Sequence, residues 1–98
     1  MIVEYNKENP IVIEQDPILL DFWAKWCGPC RMTVKNIEDY STEHPELTIY
    51  KVNVDEAEEL VEKYGIQNLP TLLYFKNGEI EWRHTGLMTK KQLEQDIY

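Results

Sequence analysis

Hydrophobic and polar positions follow two different periods along this 98-residue chain. Ile18–Trp23 is a nearly continuous apolar run after Pro17. Such a run predicts a strand that is buried on both faces of a sheet and is therefore central in it. Asp21 is the one carboxyl inside that run. Residues 48–54 and 71–75 are rich in apolar and β-branched side chains and predict two more core strands.

Helical spacing appears between these strands. Apolar residues recur at helical spacing over 34–40, in a predicted long helix that Pro45 ends. A second helix is predicted to begin at Asp55, with Glu58 three residues on as in a capping pair, and to stop at Gly65. The apolar face of this second helix carries four side chains: Ala57, Leu60, Val61 and Tyr64.

Before the central strand the pattern is weaker. Residues 2–5 predict a short first strand. Asn9 and Pro10 predict the start of a brief helix, because proline fits the first helical position without losing a needed hydrogen-bond donor.

After the third core strand the sequence predicts a hairpin and a closing helix. The Asn77-Gly78 pair is typical of a type I′ turn, so an antiparallel strand should follow over residues 79–84. Residues 89–92, Thr-Lys-Lys-Gln, have the spacing of a capping box and predict a last short helix. The predicted architecture is α/β: one domain over residues 1–98, with a central mixed β-sheet and helices on both faces.

Composition and charge narrow the classes of partner. Ten basic and eighteen acidic residues give a formal charge of −8, which would repel nucleic-acid phosphates and anionic lipid surfaces. Residues 1–9 lack the basic start and apolar run of a signal peptide, and no later segment is apolar enough for a membrane span. We therefore expect a cytoplasmic protein with neither nucleic acid nor membrane as a partner. We also expect it to be a monomer.

Candidate chemistry lies in the two cysteines, Cys27 and Cys30, spaced as Cys-Gly-Pro-Cys. A thiolate is the nucleophile of disulfide exchange, and its charge must be stabilised. If Cys27 caps the long helix, the helix N-terminus and the Cys30 N–H would stabilise the Cys27 thiolate. The two sulfurs lie one helical turn apart, so Cys30 could resolve a mixed disulfide on Cys27 and release reduced substrate. Pro29 restricts the turn, which favours a reductant over an oxidant.

A purely structural disulfide and a metal site account less well for the cysteine pair. A structural disulfide across so short a loop would add only about 2 kcal/mol, and a reducing compartment would keep breaking it. A metal site needs further soft ligands, and the two histidines, His44 and His84, are far apart in the sequence. We expect no metal and no bound cofactor, and a redox-active Cys27–Cys30 disulfide as the reacting group.

The segment from Asp21 to Met32, Asp-Phe-Trp-Ala-Lys-Trp-Cys-Gly-Pro-Cys-Arg-Met, closely resembles the active-site segment of the thioredoxin family. Residues 52–56, 64–71 and 75–79 are similar to later thioredoxin segments in order and spacing. The resemblance implies the thioredoxin fold and the reduction of disulfides in other proteins. It also implies electrons that come indirectly from NADPH through a thioredoxin reductase.

The resemblance implies roles for individual residues. Asp21 matches an aspartate that assists proton transfer at the resolving cysteine, and burial in an apolar strand would raise its pKa. Lys51 matches the lysine that pairs with this aspartate. Pro70 matches a cis proline beside the cysteines, where the preceding backbone is free to pair with an extended substrate. With Trp26 at its rim because it adjoins Cys27, the expected substrate surface comprises Trp26, Gly28, Pro29, Leu69, Pro70, Thr71 and Gly86.

Two functions of different classes remain open at this point. The first is a general protein disulfide reductase that acts by thiol–disulfide exchange through Cys27 and Cys30. The second is a non-catalytic binding module that uses the same groove to dock a partner protein. Changing both cysteines to serine would leave only the second function intact. Nothing in the sequence selects a dedicated reductant for one enzyme.

Overall fold

A computed structural model of the chain describes the backbone of residues 1–98 and every side chain except that of Gln15. Five strands form one sheet: β1 (Ile2–Glu4), β2 (Ile18–Trp23), β3 (Thr48–Asn53), β4 (Thr71–Lys76) and β5 (Glu79–Thr85). The α-helices are α1 (Gly28–Glu43), α2 (Glu58–Tyr64) and α3 (Lys90–Asp96). Among the described residues, no helix combines the length and the apolar character needed to cross a membrane.

The sheet has the strand order β1-β3-β2-β4-β5, so β2 is central as its apolar run predicts. β3 runs parallel to both β1 and β2, whereas β4 is antiparallel to β2 and β5 is antiparallel to β4. Parallel neighbours end at the same edge of a sheet. The carboxyl ends of β2 and β3 therefore lie side by side, at the edge where α1 begins.

Helices cover both faces of the sheet, as predicted. Ile18, Leu20 and Phe22 of β2 pack in the core cluster that contains apolar residues of α2. Leu19 packs in the second cluster, which contains residues of α1 and α3. Because successive side chains of a strand point to opposite faces, Asp21 lies on the same face as Leu19, beneath α1.

Three of the turn and cap signals of the sequence are confirmed. Asn77 and Gly78 both have positive φ, at 57° and 78°, as the predicted type I′ hairpin requires. Gly65 ends α2 in the left-handed conformation. Thr89 and Gln92 form the complete capping box at the start of α3.

The predicted helix at Asn9 and Pro10 is wrong. Instead, the Asn6 side chain accepts the N–H groups of Glu8 and Asn9, which holds the backbone in a turn at this point. A short 3₁₀ helix follows later, at Ile13–Gln15.

The prediction that Asp55 caps α2 is also wrong. Asp55 lies within a 3₁₀ helix, Val54–Glu56, and α2 begins only after Ala57, which makes no side-chain cap hydrogen bond. The Asn53 side chain accepts the Asp55 N–H and closes this intervening turn. The carboxylate of Asp55 instead accepts a hydrogen bond from Trp26 at the functional site.

Candidate functional site

Cys27 and Cys30 are joined by a disulfide at the start of α1, with their Cα atoms 5.3 Å apart. Cys27 is the N-cap residue, as predicted, and its Sγ accepts the Cys30 backbone N–H at 3.3 Å. Cys27 is 6% exposed and Cys30 only 1% exposed. The Cys27 sulfur is therefore the one that an incoming substrate reaches more easily.

The local sequence explains why α1 begins at this residue. The Cys27 N–H donates to the Ala24 carbonyl, which turns the chain directly after β2. Pro29 lies in the first turn of α1, where an N–H would have no partner within the helix. The Cys30 N–H lies at the positive end of the helix dipole and is therefore free to donate to the Cys27 sulfur.

Asp21 lies on β2, on the face of the sheet that α1 covers, and is completely buried. Neither carboxylate oxygen has a hydrogen-bond partner among the described residues. Burial raises the pKa of Asp21 to about 7, while the charge of Lys51 opposes this rise and the charge of Glu4 adds to it. A carboxyl with this pKa can accept and return a proton near neutral pH.

Lys51 occupies the position on β3 that is paired in register with Asp21 on β2. Its Nζ lies 3.5 Å from Glu4 Oε1 on β1 and 4.9 Å from the centre of the Trp23 ring. The direct ion pair of Lys51 is thus with Glu4, a residue that no sequence pattern assigned to the site. The pairing of β1 with β3 brings Glu4 into the site, and no local sequence signal reports that pairing.

Trp26 directly precedes Cys27 and is 70% exposed, as expected for the rim of a binding surface. Its Nε1 donates to Asp55 Oδ2 at 3.2 Å. This hydrogen bond holds the exposed Trp26 indole beside Cys27. It is also the contact that the Asp55 carboxylate makes in place of capping α2. The sequence contained both residues, but only the fold shows that they meet.

The Leu69–Pro70 peptide bond is cis, as the resemblance implies. Leu69 packs against the cluster that contains Cys27 and Cys30, and the Pro70 carbonyl accepts the Gly86 N–H at 2.8 Å. Gly86 has a φ of 101°, a conformation that strongly favours glycine. These contacts place Leu69 against the two cysteines and join Pro70 to Gly86.

Three other predicted surface residues differ in exposure. Gly28 and Pro29 are exposed at the start of α1. Thr71 is buried, and its hydroxyl donates to the Asn68 carbonyl. Thr71 is paired with Phe22 of β2 and Thr85 of β5, so it shapes the loop before β4 from inside and adds little to the surface.

A small cavity of about 130 Å³ adjoins Trp26 and Leu69. Its other walls come from four residues that the sequence alone did not assign to the site: Val54, Val61, Ile66 and Gln67. The sequence pattern assigns Val61 only to the apolar face of α2. A sequence signal for this cavity was nevertheless available: Val54 directly follows β3, Ile66 directly follows Gly65, and both positions adjoin the predicted groove.

No three His, Cys, Asp or Glu side chains of the described residues are grouped so that they could hold one metal ion. The site contains two sulfurs, one buried carboxyl and nearby cations. A disulfide at a helix N-terminus, a proton-accepting group beneath it and an apolar groove beside it are the parts that thiol–disulfide exchange uses.

Comparison with known sequences agrees with this chemistry. The family model described as Thioredoxin matches residues 2–98. A thioredoxin of Rickettsia typhi is 42% identical over 93 residues, covering 94% of this chain and 89% of that protein. A thioredoxin of Alicyclobacillus acidocaldarius is 43% identical over 82 residues, covering 83% and 78%. A chloroplastic M-type thioredoxin of Pisum sativum is 40% identical over 98 residues, and this chain spans 57% of its length.

Solved structures show the same fold. A thioredoxin-2 that is described as a component of the protein secretion machinery of a malaria parasite superposes with a TM-score of 0.75 and is 28% identical. The match covers 78% of this chain and 75% of that one. This chain therefore shares its overall fold with that structure. The chain belongs to the thioredoxin family and is a dithiol–disulfide oxidoreductase with the thioredoxin fold.

Proposed function

We propose that this protein is a general protein disulfide reductase in which Cys27 attacks the substrate and Cys30 resolves the intermediate. The observation that carries the proposal is the position of the Cys27–Cys30 disulfide between a helix N-terminus and an apolar groove. The greater exposure of Cys27 supports its role as the attacking residue.

The reaction begins from the reduced dithiol. The Cys27 thiolate attacks one sulfur of the substrate disulfide, a mixed disulfide forms, and the other substrate sulfur leaves as a thiolate that takes up a proton. Cys30 then loses its proton and attacks the Cys27 sulfur. The Cys27–Cys30 disulfide forms and the second substrate thiol is released. Two electrons have passed from the protein to the substrate, and the protein is left in its disulfide form.

Asp21 is the proposed acceptor of the Cys30 proton. It lies on the face of the sheet that α1 covers, and burial keeps its pKa near 7. A base of this pKa is well matched to proton transfer at neutral pH. Lys51, the register partner of Asp21, stabilises the carboxylate and so limits the rise in its pKa.

Substrate binding is proposed to use the surface around Trp26, Leu69 and Pro70. An extended substrate segment would form backbone hydrogen bonds at Leu69, and the Trp26 ring and the 130 Å³ cavity would receive an apolar side chain. Backbone pairing and a small apolar cavity recognise shape rather than one sequence. This form of recognition suits a reductant with many protein substrates.

The proposed source of electrons is NADPH, through a thioredoxin reductase that restores the dithiol by the reverse exchange. We also propose that the protein is a monomer in the cytoplasm, where NADPH can supply electrons to a reductant of protein disulfides. The −8 charge of the chain supports the expectation that neither nucleic acid nor an anionic membrane surface is a partner.

Insulin reduction tests the proposal. With NADPH and a thioredoxin reductase, the protein should accelerate the reduction of insulin disulfides, measured as NADPH oxidation and as precipitation of the freed B chain. The double variant Cys27→Ser/Cys30→Ser should abolish this acceleration. A wild-type protein that is fully reduced by dithiothreitol and still does not transfer electrons to insulin would contradict the proposal. Failure with the reductase alone would contradict only the proposed electron source.

A further inference from the structure

A second and larger cavity, of about 340 Å³, is lined in part by Trp23, Cys30 and Lys51. Cys30 lines this cavity, whereas the groove beside Cys27 is lined by Trp26 and Leu69. The two cavities share no lining residue. The protein thus has two separate recesses next to one disulfide, and the proposed function uses only the groove at Trp26.

The larger cavity has a positive lining in a chain of net charge −8. Its charged lining residues are Lys25, Arg31 and Lys51, and no carboxylate lines it among the described side chains. Lys51 is already paired with Glu4. Within the described part of the chain, Lys25 and Arg31 have no ion pair, and the Arg31 guanidinium donates to the Lys25 carbonyl. Two neighbouring cations are therefore available to an anion at the cavity mouth.

The remaining walls of the cavity are apolar. Trp23, Ala24 and Val34 form these walls. The Trp23 Nε1 is buried and has no hydrogen-bond partner among the described residues. Apolar walls with a few converging polar groups are the usual composition of a small-molecule site.

We propose that this cavity binds a small organic carboxylate with an apolar body, whose anionic group is held by Lys25 and Arg31 beside Cys30. The volume lies near the lower end of the range of about 300–1,000 Å³ for ligand sites, which fits a small molecule. The guanidinium of Arg31 suits a carboxylate because its donors match the two oxygens. The apolar body would lie against Trp23 and Val34.

Benzoate is a suitable probe, with neutral benzamide as its uncharged counterpart. In ¹H–¹⁵N spectra of the oxidised protein, benzoate should cause saturable shifts of the Trp23 indole N–H and of the Ala24 and Cys30 amides. Benzamide should bind about tenfold or more weakly, because a charge-assisted hydrogen bond is about twice as strong as a neutral one.

Variants connect the shifts to the two cations. Lys25→Gln/Arg31→Gln removes two exposed charges and should weaken benzoate binding about tenfold or more. The matched control Lys63→Gln/Lys91→Gln removes two exposed charges from α2 and α3 and should leave the affinity unchanged. Unchanged dispersion of the remaining resonances shows that both double variants are folded.

Several results would overturn the inference. These are absence of saturable shifts with benzoate, equal affinity for benzamide, or full affinity in Lys25→Gln/Arg31→Gln. An acidic peptide that shifts the same resonances where benzoate does not would assign the cavity to a protein partner instead. Because every measurement is of binding to the oxidised protein, the result is independent of the outcome of the insulin assay.

Discussion

Asp21 on β2 and Lys51 on β3 are register partners in the parallel pair of strands beneath the disulfide. The carboxyl is completely buried and has no hydrogen-bond partner among the described residues, so the charge of Lys51 is the main influence that favours its ionised form. Lys51 is itself held by Glu4 on the neighbouring strand β1. Three adjacent strands thus set the protonation of one carboxyl.

Changes at Lys51 and Glu4 should move the pKa of Asp21 in opposite directions. Lys51→Met removes the charge that lowers this pKa and should raise it above about 7. Glu4→Gln removes the charge that raises it, and should lower it. Titration of the Asp21 carboxyl ¹³C resonance in the oxidised protein measures both shifts. Shifts in the same direction for both variants would contradict this arrangement of charges.

Asp21→Asn should slow disulfide reduction more at neutral pH than at alkaline pH, since it removes a proton acceptor and leaves the nucleophile. At pH 7 we expect a loss of roughly tenfold or more, because a positioned base contributes about 10²–10⁴ in rate and water replaces part of this. At alkaline pH hydroxide replaces most of the rest. Stopped-flow measurement of reduction against pH gives the comparison, with Asp39→Asn as a matched exposed control on α1. A rate equal to wild type at every pH would make Asp21 a core residue only.

The same variant should be more stable than wild type above pH 7. The pKa of Asp21 is about 7 in the folded protein and about 3.9 in an unfolded chain, so between these values the unfolded chain releases the proton first. Wild-type stability therefore falls as pH rises from about 4 to 7, by at most about 4 kcal/mol, and Asp21→Asn removes this slope.

At pH 8 the free energy of unfolding of Asp21→Asn should exceed that of wild type by about 1–3 kcal/mol. The gain is smaller than the full effect because the buried asparagine amide also lacks hydrogen-bond partners. Urea unfolding of the oxidised forms at pH 4 and pH 8 measures it. An equal difference between variant and wild type at both pH values would show that the ionisation of Asp21 does not govern stability.

Cys30→Ser should accumulate mixed disulfides on Cys27, since the attacking sulfur remains and the resolving sulfur is gone. Intact-mass analysis after incubation with a disulfide-containing protein should show the adduct, and dithiothreitol should release it. The matched variant Cys27→Ser should trap much less, because Cys30 is only 1% exposed. Preferential trapping by Cys27→Ser would reverse the assigned roles.

Trp26→Ala should impair protein substrates more than small disulfides. Trp26 is 70% exposed, so its removal should change the free energy of unfolding by less than about 1 kcal/mol. Loss of an aromatic contact at a binding surface should lower kcat/KM for insulin by roughly tenfold. Reduction of a small aromatic disulfide reagent should change far less. Trp26→Phe keeps an aromatic ring but loses the hydrogen bond to Asp55. Its kcat/KM for insulin should therefore lie between those of wild type and Trp26→Ala.

Local residue patterns determined most of the secondary structure and the centre of the site. The apolar run Ile18–Trp23 specified a central strand, and the residues at 77–78 and 89–92 specified a turn and a helix cap through their own backbone preferences. The Cys27–Cys30 spacing, together with Pro29, specified a sulfur pair at a helix N-terminus. These features depend on neighbours within a few residues, so the sequence alone contains them.

Tertiary structure decided the features that join distant segments. The indole of Trp26 donates to the carboxylate of Asp55, which local spacing assigned to a helix cap. Pairing of β1 with β3 brought Glu4 to Lys51. Such contacts arise only when the sheet fixes its strand order, because a charge or a donor binds whatever partner the fold places within reach. The sequence by itself therefore determined which sulfurs react, and the fold determined the charges and walls around them.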